Sequence, residues 1–174
     1  LYYRELIARF GHHLALNWNM GEESGEWVTN HKSMPQSTIQ RLDMARYFYN
    51  NDPYQHHRVI HNGADFTDLR GEDSYYTGAS LQTGQTDFGS VHSSAARILG
   101  WPQSNSRPFA VSVDEPGDAQ HSLLPDTVNP EHNNARKNGL WGAYMAGAWG
   151  TEWYFGYAHP HSDLTAQDWR SRDL

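Results

Sequence analysis

The sequence predicts an α/β fold in which parallel strands alternate with helices. Three observations carry that expectation. Five segments read as strands: 12–19 "HHLALNWN", 56–62 "HHRVIHN", 77–83 "TGASLQT", 108–114 "PFAVSVD" and 150–156 "GTEWYFG". Helical patterns separate most of them, and such alternation favours parallel pairing through right-handed crossovers. At 174 residues the chain can bury one genuine core, and no repeat, linker or low-complexity tract interrupts it.

Taken in order, "LYYRELIARFG" reads as the later turns of a helix that stops at Gly11. After the first strand, Ile39, Leu42, Ala45 and Tyr49 recur at helical spacing, and Ser33 or Ser37 can cap the start. Between the third and fourth strands, Val91, Ala95, Ile98 and Leu99 form an apolar stripe ending at Gly100. The last helix is expected from Asn129-Pro130-Glu131, a cap, a first-turn proline and an early acid, and runs through Leu140, Trp141, Tyr144, Met145 and Ala148. Its glycines at 139, 142 and 147 suit close packing on a sheet, and Trp141 and Trp149 are expected in the core. The longest loops, 63–76 and 116–128, each follow a strand.

Composition excludes several classes of function. A formal charge of −7 without a Lys/Arg cluster argues against nucleic acid or an anionic membrane as partner. With no cysteine, disulfides, thiolate nucleophiles and cysteine-ligated zinc are ruled out. No stretch approaches the roughly 20 apolar residues of a membrane span. Seven Trp and ten Tyr offer rings with an apolar face and a polar tip, which suit sugar surfaces as well as cores.

In a parallel α/β fold the site is built by loops leaving the strands' carboxyl ends. Those ends supply Asn17, Asn19, Glu22 and Glu23; then His61 and Asn62; then Gln82, Thr83 and Gln85; then Asp114 and Glu115; then Trp153, Tyr154 and Tyr157. Cleavage of a glycosidic bond needs one carboxyl group to protonate the leaving oxygen and another to attack carbon or activate water. Glu22/Glu23 and Asp114/Glu115, on two different strands, meet that need. Adjacent carboxylates repel, which favours one of a pair keeping its proton, as a general acid must.

The histidines raise a metal reading, with His56, His57 and His61 in one strand and His159 and His161 near the end. On a strand, His57 and His61 share a face at a span too long for a compact chelate. No metal is therefore expected, and hydrolysis by two carboxylates requires no cofactor. His61 reads either as a substrate hydrogen-bond donor or as a satisfied buried histidine, and Trp18 as core or as a wall of the site. Bland readings remain for the acids: a helix start or solvated loop for Glu22/Glu23, and a turn before Pro116-Gly117 for Asp114-Glu115.

The motif "WNMGEES" resembles the strand-four ending of the (β/α)8 glycoside hydrolases grouped as clan A, usually Trp-x-x-Gly-Asn-Glu. "PFAVSVDEPG" resembles their strand-seven ending, and "TEWYFGY" their strand eight, where an aromatic floors the sugar site. Across nearly all 174 residues, including "LWGAYMAGAWGTEWYFGY" and "HSDLTAQDWRSRD", the chain is similar to bacterial secreted proteins related to apiosidase-like hydrolases, often carrying a C-terminal domain associated with collagen binding. The resemblance implies a single domain over 1–174 that is the C-terminal part, about strands four to eight, of a TIM barrel. It implies Glu23 as acid/base, Glu115 as nucleophile, and an oligo- or polysaccharide substrate. Substrate contacts would fall to Glu22, Trp18, Asn19, His61, Gln82, Trp153 and Tyr157. Secretion or a periplasmic location follows from the same resemblance. Glu22 departs from the pattern, standing where the family has the Asn that binds the sugar's 2-hydroxyl. An inactive carbohydrate-binding or extracellular scaffold protein of the same fold is the alternative. Five strands do not close a barrel, so the expectation is a fragment of a longer chain, with strands supplied by another polypeptide or an open five-stranded sheet as the other readings.

Overall fold

The structure, a computed structural model, describes residues 1–25, 35–62, 66–100, 109–125, 127–153, 156 and 158. Its elements alternate as expected: α1 (Tyr2–Phe10), β1 (Asn17–Glu22), α2 (Thr38–Asn51), β2 (His57–Asn62), a 3-10 turn (Thr67–Leu69), β3 (Gly78–Gln82), α3 (Val91–Leu99), β4 (Ala110–Glu115), a π-helix (Ala135–Trp141) running into α4 (Gly142–Ala146), and β5 (Gly150–Thr151). The strands form a five-stranded parallel sheet in the order β1-β2-β3-β4-β5. Among the described residues, no helix is long and apolar enough to cross a membrane. The chain divides into two compact units, one of Leu1–Ser80 with a piece ending at Ala110, the other of Leu81–Gly100 and Val111 onward.

In the first unit, Gly11 closes α1 by donating its N–H to the Ile7 carbonyl at 2.9 Å. The next residues turn rather than extend, so the first strand starts at Asn17 and not at His12. His13 is held in that turn, its N–H bonded to the Phe10 carbonyl at 3.0 Å. Helix α2 opens with a capping box: the Ser37 hydroxyl accepts from the Gln40 N–H, and the Gln40 side chain accepts from the Ser37 N–H. Ser33, the other cap candidate, lies outside the described residues. The buried face of α2 is not the expected Ile39/Tyr49 stripe. Ile39 is 72% exposed, and Arg41, Met44, Ala45 and Phe48 point inward. The aromatic contacts explain the rotation, because Phe48 stacks near Tyr3 and Trp18, at 5.2 and 4.9 Å between ring centroids.

A polar network is buried with these rings. Asp52 accepts hydrogen bonds from the Trp18 indole N–H at 2.9 Å, from the His56 backbone N–H at 2.9 Å and from the Tyr54 N–H at 3.0 Å. Nδ1 of His56 sits 2.7 Å from the same carboxylate, and its Nε2 sits 2.8 Å from the His13 carbonyl. Burial pushes the Asp52 carboxyl up, but the bonds from Trp18 and His56 outweigh it and hold the group below the ordinary carboxylate value. Gly78 opens β3 where no side chain fits: a Cβ there would meet the Ala110 carbonyl at 2.4 Å and the His57 ring at 2.7 Å.

In the second unit, α3 buries Val91, Ala95 and Ile98 as the sequence predicts, and Gly100 ends it with its N–H on the Ala96 carbonyl at 2.8 Å. The last helical segment differs from expectation in three ways. Residues around Asn129 form turns on the Pro125 carbonyl, so the helix starts after His132 instead of at Pro130. Its glycines face Phe88 and α3 rather than the sheet: a Cβ added at Gly139 would lie 3.5 Å from the Phe88 ring, and one at Gly142 would lie 3.6 Å from His92. Trp141 and Trp149 are 61% and 60% exposed, not core. One physical reason covers the glycines and Trp141: the inward helix positions are Ala135, Gly139 and Ala143, small enough for close approach, which leaves the Trp141 ring on the outward side, while Trp149 follows the helix and is not placed by it. Gly147, at φ 93, ends the segment in the left-handed region that glycine enters freely. Strand β5 is shorter than the expected 150–156, pairing only Gly150 and Thr151 with Ser112 and Val113.

Candidate functional site

The carboxyl end of β1 is irregular. Asn17, Trp18 and Asn19 pair in step with His57, Arg58 and Val59, and then the register shifts so that Glu22 pairs with His61. Gly21 absorbs the shift at φ 132, and the Asn19 side chain accepts its N–H at 3.2 Å. Glu22 is therefore the last residue of the strand, and Glu23 follows it at φ 42, an uncommon conformation for a residue with a side chain. The Glu23 N–H is bonded to the His61 carbonyl at 2.9 Å, so the unusual turn is tied to the end of β2. Glu22 is exposed and Glu23 half-buried.

The register shift brings Glu22 and His61 together: a carboxylate oxygen and a ring nitrogen lie within 4.8 Å. His61 is 7% exposed, and its Nδ1 is 2.8 Å from the Ser80 hydroxyl. Asn62 beside it is fully buried. Trp18 is placed differently. It points into the core of this unit at 7% exposure, with its N–H committed to Asp52. Asn19, on the opposite face of the strand, is exposed. The three histidines of "HHRVIH" are each engaged separately: His56 with Asp52, His57 with the Thr77 hydroxyl at 2.5 Å, and His61 with Ser80.

In the second unit Glu115 ends β4 as its last strand residue. It is half-buried, and the Gln82 amide donates to its Oε1 at 3.2 Å. The Glu115 carbonyl accepts the Thr83 N–H at 3.0 Å, and the Thr83 hydroxyl accepts the Gly117 N–H at 2.9 Å. This ladder fixes the turn Pro116-Gly117, where Gly117 sits at φ 83. The loop beyond is organised by Asp118, whose carboxyl is held low first by its bond with the His121 ring and then by the Gln120 N–H. Trp153 lies past β5, edge-on to His132 at 5.8 Å, in the wall of a shallow hollow shared with Phe88, Pro116 and Leu123. The hollow has room for about one water molecule, so it is no sugar pocket as it stands.

Of the residues singled out from sequence, the structure joins Glu22 with His61 and Gln82 with Glu115. Tyr154, Tyr157, His159 and His161 lie outside the described residues. Sequence reasoning did not single out Ser80, whose role depends on cross-strand neighbours that nothing in "TGASLQT" announces, nor Asp52, which reads as an ordinary turn residue before Pro53. No family model, curated protein or solved structure matches the chain.

Proposed function

We propose that the chain carries the two catalytic carboxylates of a retaining glycoside hydrolase and is the strand-four to strand-eight part of a (β/α)8 barrel. The observation that supports this reading most directly is positional. In a parallel α/β sheet, Glu22 and Glu115 are the terminal residues of β1 and β4, and Glu23 follows β1, so acids stand at the carboxyl ends of two strands where such folds place their chemistry. Glu23 gives a proton to the leaving sugar oxygen while a Glu115 oxygen bonds to the anomeric carbon and the glycosidic C–O bond breaks. Water then attacks that carbon, Glu23 takes its proton, and the Glu115 ester is released as carboxylate. Gln82 keeps the Glu115 carboxylate aimed, and Trp153 is the candidate ring for stacking on the sugar. The substrate is an oligo- or polysaccharide, and export to the periplasm or medium accords with such a substrate.

The decisive experiment is trapping with a 2-fluoro-glycoside, followed by peptide mass spectrometry. The reading expects a covalent sugar on Glu115, and a label on another residue overturns that role. Glu22, standing where the resemblance expects Asn, favours one other reading: a carbohydrate-binding scaffold without turnover. Sugar binding retained by both the parent and Glu115→Gln, with hydrolysis by neither, selects it.

A further inference from the structure

His56 is enclosed by groups that leave its ring one consistent state. It is buried at 8% exposure, its Nδ1 lies 2.7 Å from Oδ2 of Asp52, and its Nε2 lies 2.8 Å from the His13 carbonyl oxygen. A neutral imidazole has one N–H and one bare nitrogen, whereas an imidazolium has two N–H groups. A carbonyl oxygen only accepts, so Nε2 carries hydrogen. Nδ1 could then stay bare only if Asp52 were the donor. Oδ2 of Asp52 already accepts the Trp18 indole N–H and the His56 backbone N–H, both at 2.9 Å, and Oδ1 accepts the Tyr54 N–H at 3.0 Å. A carboxyl group receiving three such bonds is stabilised as the ion. In keeping with this, the Asp52 carboxyl is held below its ordinary value although burial opposes it. Turning the ring over sets carbon atoms against both acceptors and loses both bonds.

We propose that His56 is a buried imidazolium, protonated at both ring nitrogens, that acts as a proton-linked latch between the end of α2 and the turn feeding β1. Titratable and charged groups face it from each neighbouring element. Asp52 comes from the end of α2, and the Tyr54 ring from the turn after it, 5.6 Å away between centroids. The α1–β1 turn offers the His13 carbonyl, while the exposed His12 and His13 rings stack on each other at 4.1 Å. Arg58 on β2 donates to the His56 carbonyl at 2.8 Å and to the Tyr75 carbonyl at 2.8 Å, and β1 contributes the neutral Trp18 ring, edge-on at 6.3 Å. Among these groups Asp52 is the anion, and it is bonded to the ring directly. Loss of either ring proton leaves a bare nitrogen against an acceptor, so one of the two bonds has to break. The bond to the carboxylate is charged on both sides and the stronger, so the bond to the carbonyl is the one given up. A rise in pH therefore frees the His13 carbonyl and with it the turn between Gly11 and Asn17. The sign follows: the latch stabilises the fold while the ring is doubly protonated and Asp52 is ionised, and its contribution is lost as pH rises and the second ring proton leaves. None of this depends on the hydrolase reading.

The test is a proton–nitrogen correlation spectrum of the histidine-labelled wild-type protein at about pH 6, with His56 assigned through the contacts of its ring with the Trp18 indole. Two ring N–H protons protected from exchange with water are expected for His56. A ring with one such proton, or none, overturns the proposal without recourse to any variant. As the pH is then raised until the second proton leaves, the Nε2 proton is expected to go first, and loss of the Nδ1 proton first overturns the latch. Denaturant titrations over the same pH range compare the wild type with His56→Gln, whose side chain takes up no proton. The stability difference is expected to shrink as pH rises, with the wild type losing about tenfold in its folded-to-unfolded ratio relative to the variant. A difference that does not change with pH also overturns the proposal. Should His56→Gln fail to fold, the wild-type spectrum alone decides.

Discussion

The ends of β1 and β4 each present a carboxylate, and they are built by opposite means. At β4 the strand is regular up to Glu115, and neighbouring groups do the holding: Gln82 on the side chain, Thr83 on the backbone. At β1 the backbone itself is bent, with Gly21 at φ 132 and Glu23 at φ 42, and the bend is fastened to the His61 carbonyl. Below these ends the contrast continues. The first unit buries Arg41, Asp52, His56 and Arg58 among its rings, while the second buries the small residues Ala135, Gly139 and Ala143, with Gly139 facing Phe88. Aiming an acid through hydrogen-bond partners and aiming it through backbone geometry make different demands. The first depends on a few side chains, the second on one glycine and on the rigidity beneath it.

The comparison breaks most sharply in catalysis. Under the proposed mechanism, Glu115→Gln removes the nucleophile and should lower kcat by about 10⁴. Glu23→Gln removes only proton transfer and should cost about 10²–10³ with a good leaving group tested alongside a poor one. Steady-state kinetics on two aryl glycosides separate them, since only Glu23→Gln should lose less with the better leaving group. Equal losses on both substrates would make the assignment of Glu23 untenable.

A smaller effect, on stability, probes the rigidity under β1. Asp52→Asn weakens the bonds to Trp18 and His56 and should destabilise the fold by about 3 kcal/mol in denaturant titration. The pH dependence has a definite sign. Because the folded-state value for Asp52 is depressed, its contribution is present above the unfolded value of about 3.9 and is lost as pH falls through the lower folded value. The wild type should therefore lose stability on acidification below about pH 4 more steeply than Asp52→Asn. Parallel acid limbs for the two proteins would show that the carboxylate is not the anchor.

The smallest effects lie in the bend. A side chain at position 21 meets no neighbour within 4 Å, so Gly21→Ala probes φ alone. It should cost about 2 kcal/mol. Glu23→Gly goes the other way, relieving the positive φ and raising stability by about 1 kcal/mol while abolishing acid/base catalysis. Thermal denaturation of the two variants side by side checks both signs. A stabilising Gly21→Ala would mean that the bend is not held where the backbone angles place it.

How much of this was legible depended on range. The alternation of elements, the stripe of α3 and the Gly100 stop follow from local pattern, and all are present. The acids at the strand ends could be read off "NMGEES" and "SVDEPG", but the register shift could not, because it exists only relative to His61 on β2. Ile39 and Met44 are both apolar residues on one helix, and the choice between them is made by Tyr3 and Trp18, far away in sequence. Trp141 misled for a related reason: hydrophobicity favours burial, yet the close approach of α3 admits only small side chains.

The π-helical run from Ala135 to Trp141 has a further implication. Hydrogen bonds spanning five residues accommodate one extra amino acid per loop without displacing either flank. Gain or loss of a single residue during divergence would thus be absorbed inside the helix, not in a connecting loop. Alignments of sequences built this way should place their gap there, and Lys137, solvent-facing in the middle of the run, is the natural residue to be dispensable.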